Sequence, residues 1–172
     1  MSAGRKRISE KKDWNTPPKY IKAVYDFFGE VDLDPCSNEL SIVNAKTEFI
    51  LPIDGLKEEW DYKRIFMNPP YGRDMAMKTT IKNWIIKANE AYINGSEVLA
   101  LIPVATSSSH FKEIIFKEAN SICFLGDTRL KFMVDGELSK MGAPMSCCIV
   151  YWGKDYDKFE NIFSEYGKCV KI

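Results

Sequence analysis

Arg64-Ile65-Phe66-Met67-Asn68-Pro69-Pro70-Tyr71 is the stretch on which the reading of this chain turns. Ile65, Phe66 and Met67 form a compact apolar run, which reads with Arg64 as a short strand. The two prolines end it, because each fixes φ and withholds the N–H that a further rung would need. The product is a stiff loop at the carboxyl end of a strand, where open α/β sheets bind their ligands. Asn68 brings a side-chain carbonyl acceptor, Pro69 a backbone carbonyl, and Tyr71 a flat ring with a polar tip. That combination suits the grip of an exocyclic amino group. Two acceptors take its two hydrogens, and the nitrogen lone pair is left aimed at an incoming electrophile. Positioning and electrostatics then supply most of the catalysis. A strong general base is not required, since the amine becomes acidic once alkylated. The bare segment also reads as a rigid structural loop. The strand before it and the helix after it supply the context that the functional reading needs.

Outward from this loop, strands alternate with helices. Thr16-Pro17-Pro18 opens a helix, with Thr16 as cap and proline in the first turn; Tyr20, Ile21, Val24, Phe27 and Phe28 share its apolar face, and it stops at Gly29. Val31-Asp32-Leu33-Asp34 reads as a strand ended by Pro35, and residues 47–51 as another before the turn Asp54-Gly55. A long helix is expected over residues 78–94, then the strand Val98-Leu99-Ala100-Leu101-Ile102, a helix over residues 108–119 and a strand over residues 121–125. Residues 126–144 are loop-rich, 146–152 form the last strong strand and 170–172 a weak one. The pattern predicts an α/β fold, a mostly parallel sheet flanked by helices with an antiparallel C-terminal strand.

The chain has 172 residues, 45% of them apolar and 28% charged, with a net charge of zero. That predicts a polar basic tail over residues 1–13, carrying Arg5, Lys6, Arg7, Lys11 and Lys12, and one domain over residues 14–172. With no overall positive charge, any nucleic-acid contact must come from local clusters of Lys and Arg. No apolar run reaches the roughly 18 residues that a membrane span needs, and no signal peptide is visible. The five cysteines lack C-x-x-C spacing and His110 is the only histidine, so no metal site is expected. Apolar flanks such as Ile122-Cys123-Phe124 predict buried thiols in a reducing cytoplasm.

Taken in order, several segments resemble the phage-type DNA N6-adenine methyltransferase (Dam) family. They are Trp14-Asn15-Thr16-Pro17, Asp32-Leu33-Asp34-Pro35-Cys36, Asp54-Gly55-Leu56 with Trp60, Asn68-Pro69-Pro70-Tyr71-Gly72, Leu101-Ile102-Pro103, Thr128-Arg129-Leu130-Lys131-Phe132 and Pro144-Met145-Ser146. The resemblance implies a Rossmann-like S-adenosylmethionine-dependent methyltransferase fold. It implies a cofactor site around Thr16, Pro17, Asp34, Pro35 and Asp54 that reaches Asn68. It also implies transfer of a methyl group to the N6 amine of a flipped-out adenine in double-stranded DNA, and the cytoplasm of a bacterial host. The chemistry of the cofactor agrees. Acidic groups at strand ends suit its ammonium and ribose diol, and Asp54 suits its adenine amine. Asp34 and Asp54 also read as ordinary turn residues. The Gly-rich turn usual in the broader fold is replaced here by Asp34-Pro35-Cys36-Ser37-Asn38-Glu39.

A separate target-recognition domain is not apparent, so loops 72–80, 107–110 and 126–144 must read the DNA. They offer Arg73, Lys78, Arg129, Lys131 and Lys140 to phosphates or guanine edges. Arg129 is the first choice, for DNA contact or a structural ion pair. Tyr71 is expected to stack on the extruded base, with Phe132 as its second wall or as plain core. The loop alone leaves cytosine N4, guanine N2 of RNA and protein glutamine open as acceptors, as well as a DNA-binding relative without turnover. Monomer and homodimer stay equally open.

Overall fold

The computed structural model describes residues 14–172; the basic tail, residues 1–13, lies outside them. The alternating pattern resolves into a seven-stranded sheet with an apolar layer on each face. The strands are β1 (Leu33–Ser37), β2 (Thr47–Ile50), β3 (Arg64–Met67), β6 (Glu97–Pro103), β7 (Ser121–Leu125), β10 (Cys147–Trp152) and β11 (Gly167–Lys171). Two small hairpins stand apart from the sheet: β4 (Arg73–Asp74) with β5 (Thr79–Thr80), and β8 (Met133–Val134) with β9 (Glu137–Leu138). The helices are α1 (Pro18–Phe28), α2 (Ile81–Ile93), a π-helical turn (Phe111–Ile115) running into α3 (Phe116–Glu118), and α4 (Tyr156–Phe163).

Strand order is β11-β7-β10-β6-β3-β1-β2. β2, β1, β3 and β6 are parallel, while β10 runs antiparallel between β6 and β7, and β11 antiparallel to β7. The chain leaves β1 toward β2 and returns on the other side as β3, so the topological switch point lies between β1 and β3. Alternation along the strands sorts the core. Phe66, Leu99, Leu101, Ile149 and Tyr151 pack under α1 and α4, and Ile65, Met67, Val98, Ala100 and Val150 under α2 and the π-helical turn.

Several expectations shift in detail. Pro17, not Thr16, is the N-cap of α1, and no side chain caps it. β1 runs through Pro35 instead of ending there, because its register against β2 is irregular between Asp34 and Ser37; a proline without N–H is tolerated at such an interruption. The helix expected from residue 78 begins at Ile81, since Lys78 adopts φ 55° and Thr79–Thr80 pair with β4. Residues 126–144 hold the β8–β9 hairpin, closed by Asp135 and Gly136 at φ 52° and 80°. α4 is a helix the sequence reading missed, although Asp155 caps it and Phe159 and Phe163 lie one turn apart on its buried face. No helix among the described residues is long and apolar enough to cross a membrane.

Candidate active site

β3 is paired on both sides and ends at Met67, so the Asn68-Pro69-Pro70-Tyr71 loop leaves the sheet at the switch point. The Asn68 amide nitrogen donates to the Trp14 carbonyl at 2.7 Å. This bond fixes which way the amide faces. Among the described residues nothing donates to Asn68 Oδ1 or to the Pro69 carbonyl. The two acceptors are therefore present, and the amide that carries one of them is oriented.

Tyr71 is half-buried. Its ring meets Trp14 edge-on at 6.2 Å and Phe132 at 5.7 Å, and its hydroxyl donates to the Leu101 carbonyl at 3.2 Å. Burial, with the Cys147 and Cys148 thiols close by, pushes the Tyr71 phenol well above its ordinary range, so it stays neutral. Phe132 is only 2% exposed and lies stacked on Trp14 at 5.1 Å. Its surroundings are those of a core residue that supports Trp14 and Tyr71 from beneath.

Across the switch point, Asp34 is buried on β1 and accepts from the Cys36 N–H at 3.1 Å. Burial pushes its carboxyl up to about 7, and the neighbouring Glu48 adds to the effect. Thr16 is buried too, and its hydroxyl has no partner among the described residues. An orphaned hydroxyl and a desolvated carboxyl at one sheet edge are each costly in the free protein. Both suit a bound group that brings donors and positive charge, as the ammonium and ribose of S-adenosylmethionine do. Pro17 is buried beside Thr16, and its carbonyl accepts from Tyr20 and Ile21 N–H.

The Asp54 turn is held against this segment. A Cβ on Gly55 would lie 1.9 Å from the Pro35 carbonyl oxygen, and the Gly55 carbonyl accepts from Trp60 Nε1 at 2.8 Å. Gly55 is required because the turn and β1 approach backbone to backbone. Gly55→Ala should cost about 1–3 kcal/mol by overpacking and weaken affinity for the cofactor proposed below. Urea unfolding checks the first, and an unchanged midpoint would mean that the turn and β1 are not held together as described. Asp54 itself accepts from the Leu56 N–H at 3.2 Å and lies 3.5 Å from Lys57 Nζ, so part of its capacity serves its own turn. It also borders a cavity of about 450 Å³ with Leu56, Met77, Thr79 and Ile86, between the turn, the β4–β5 hairpin and α2. That volume is in the range of small-ligand sites.

Arg129 is exposed and has no ion pair among the described residues. Its Cβ packs on Gly142, where an added Cβ would come within 2.2 Å. Arg73, Lys78, Lys131 and Lys140 are also exposed. His110 is buried, with Nε2 3.2 Å from Ser108 Oγ. Sequence reasoning missed the parts played by Asn15, Asn38 and the Trp14 carbonyl. None has a local pattern, because each acts across a long loop or through backbone.

A mostly parallel sheet with Asn-Pro-Pro-Tyr leaving its switch point has the architecture of a Rossmann-like methyltransferase. The chain belongs to the DNA N-6-adenine-methyltransferase (Dam) family, whose profile matches residues 4–169. No curated protein and no solved structure matches it.

Proposed function

We propose that this protein transfers a methyl group from S-adenosylmethionine to the N6 amine of an adenine flipped out of double-stranded DNA. The observation that carries the proposal is the Asn68 amide, oriented by the Trp14 carbonyl and leaving Oδ1 and the Pro69 carbonyl at the switch point without donors among the described residues. Family membership supports the acceptor, DNA adenine, over cytosine N4, RNA guanine or protein glutamine.

Thr16, Pro17, Asp34, Pro35 and Asp54 hold the cofactor, with the Thr16 hydroxyl and Asp34 carboxylate toward its polar groups. Bound there, S-adenosylmethionine supplies an electrophilic methyl group. Asn68 Oδ1 and the Pro69 carbonyl accept the two amine hydrogens and turn the nitrogen lone pair away from ring conjugation. Tyr71 packs on the extruded base, which offsets part of the few kcal/mol that flipping costs. Arg129 and its neighbouring lysines contact the phosphates.

The test is transfer of labelled methyl to unmethylated duplex DNA with nucleoside analysis of the product. N6-methyladenine is the expected product. Another methylated base, or cofactor binding without transfer, would overturn the reading.

The environment of Asp34 sets a pH dependence. A cationic ligand selects the ionised carboxylate, whose population grows as pH rises through about 7. Affinity for S-adenosylmethionine should therefore increase about tenfold between roughly pH 6 and 8, and Asp34→Asn should flatten the profile. Calorimetry at the two pH values checks this, and equal affinities for the unaltered protein would remove Asp34 from the site.

A further inference from the structure

Trp14, Asn15, Thr16 and Pro17 cross the carboxyl edge of the sheet as a strap, and Asn15 is its fastening. The Asn15 side chain is buried at 6% exposure and forms a reciprocal amide pair with Asn38. Asn15 Nδ2 donates to Asn38 Oδ1 at 3.1 Å, and Asn38 Nδ2 donates to Asn15 Oδ1 at 2.6 Å. Asn38 is itself fixed, because its Oδ1 also accepts from the Leu40 N–H at 2.9 Å. The backbone of Asn15 exchanges two hydrogen bonds with Met133, at 3.0 and 2.9 Å, at the base of the β8–β9 hairpin. The strap is thus tied on one side to the loop that follows β1 and on the other to the 126–144 stretch. The residue before Asn15 supplies the carbonyl that holds the Asn68 amide.

We infer that Asn15 and Asn38 are positioning residues for Asn68: their amide pair holds the strap so that the Trp14 carbonyl keeps Asn68 Oδ1 turned toward the substrate amine. The inference rests on the role given to Asn68 above. An amide can present either its oxygen or its nitrogen to a ligand, and only the oxygen accepts from an amine. Rotation of the Asn68 amide by half a turn would put two N–H donors where the substrate also presents donors. The Trp14 carbonyl prevents this only while its own position is fixed. Stacking of the Trp14 ring on Phe132 restrains the side chain of that residue. The Asn15–Asn38 pair restrains its backbone, which is where the carbonyl sits. Two hydrogen bonds in a partly desolvated pair, each bracing the other, give that restraint a sharp geometry. The same strap carries Thr16 and Pro17, so one fastening sets the cofactor wall and the amine grip in a common frame.

The test compares Asn15→Ala, Asn38→Ala and the double variant by two readouts. The first is the side-chain amide signal of Asn68 in ¹H–¹⁵N spectra, assigned by its loss in Asn68→Ala. In the unaltered protein it should be dispersed and slow to exchange with solvent; in each variant it should move toward free-amide shifts and exchange faster. Asn38 is half-buried, so its alanine variant leaves the core untouched and serves if Asn15→Ala does not fold. The second readout is kinetic. kcat at saturating cofactor should fall about tenfold in each single variant, with KM for DNA held within about twofold and affinity for the cofactor weakened as the Thr16–Pro17 wall loosens. The double variant should be no worse than the singles, because they break one unit. An Asn68 amide signal unchanged in folded Asn38→Ala would overturn the inference whatever the activity. A shifted signal with kcat intact would uphold the positioning and would instead remove Asn68 from the transfer step.

Discussion

Asn68→Ala should lower methyl transfer to duplex DNA by about two to three orders of magnitude, the usual consequence of removing one preorganised partner of a reacting group. The substitution deletes Oδ1, the acceptor that the Trp14 carbonyl orients. The Pro69 carbonyl remains, so one amine hydrogen keeps its partner and the other loses it. The amine then relaxes toward planarity, its lone pair returns to the ring, and the nucleophile weakens. The fold should survive. Asn68 is half-buried, and the loss on the protein side is its bond to Trp14, whose carbonyl is left unpaired at a cost of about 1–3 kcal/mol. Affinity for S-adenosylmethionine should change little, since the site proposed for it draws its buried polar groups from Thr16 and Asp34. Radiolabel transfer under single-turnover conditions, with calorimetry of the cofactor on the same preparation, separates the two effects. A transfer rate within about fivefold of the unaltered protein would take Asn68 out of the mechanism, because that corresponds to no more than one ordinary hydrogen bond.

The parts of this site that could be read from sequence are those whose chemistry is local. A strand closed by two prolines needs no tertiary information to become a stiff loop at a sheet edge, and β3 with Asn68-Pro69-Pro70-Tyr71 is that case. The strands β6, β7 and β10 were equally plain, because central strands are apolar throughout. Residues that act over distance were not legible. The Asn15–Asn38 pair joins residues 23 positions apart with no periodicity between them. The Trp14 carbonyl is backbone, which no residue type advertises. Phe132 shows the converse limit. Its sequence leaves a second wall for the base and plain core packing both open, and the Trp14 ring stacked on it leaves it in the core. Asp135-Gly136 carried the signal for the β8–β9 turn, but two-residue strands are too short for alternation to show. α4 was missed for a related reason: eight residues with two buried aromatics look like loop until Asp155 is seen to cap them.

Tyr71 separates two uses of one side chain, and the second large effect is expected there. Tyr71→Ala should reduce transfer about a hundredfold, whereas Tyr71→Phe should reduce it no more than about fivefold. The hydroxyl makes one hydrogen bond, to the Leu101 carbonyl, and an ordinary neutral bond contributes about 1 kcal/mol. Burial holds the phenol well above its usual range, so a tyrosinate base is not available to be lost. The ring does more. It fills the angle between Trp14 and Phe132, and stacking of a base on an aromatic face is worth about 1–3 kcal/mol. Tyr71→Ala removes that face and also leaves the Trp14 and Phe132 rings without their edge contact, so its loss should reach the upper part of the stacking range. The measurement is kcat for each variant on duplex DNA and on DNA with a mismatch at the target adenine. A mismatched base is cheaper to extrude, so the mismatch should restore part of the Tyr71→Ala rate and leave Tyr71→Phe unchanged. Equal losses in the two variants would place the function of Tyr71 in its hydroxyl, with the Leu101 bond as the contact that matters.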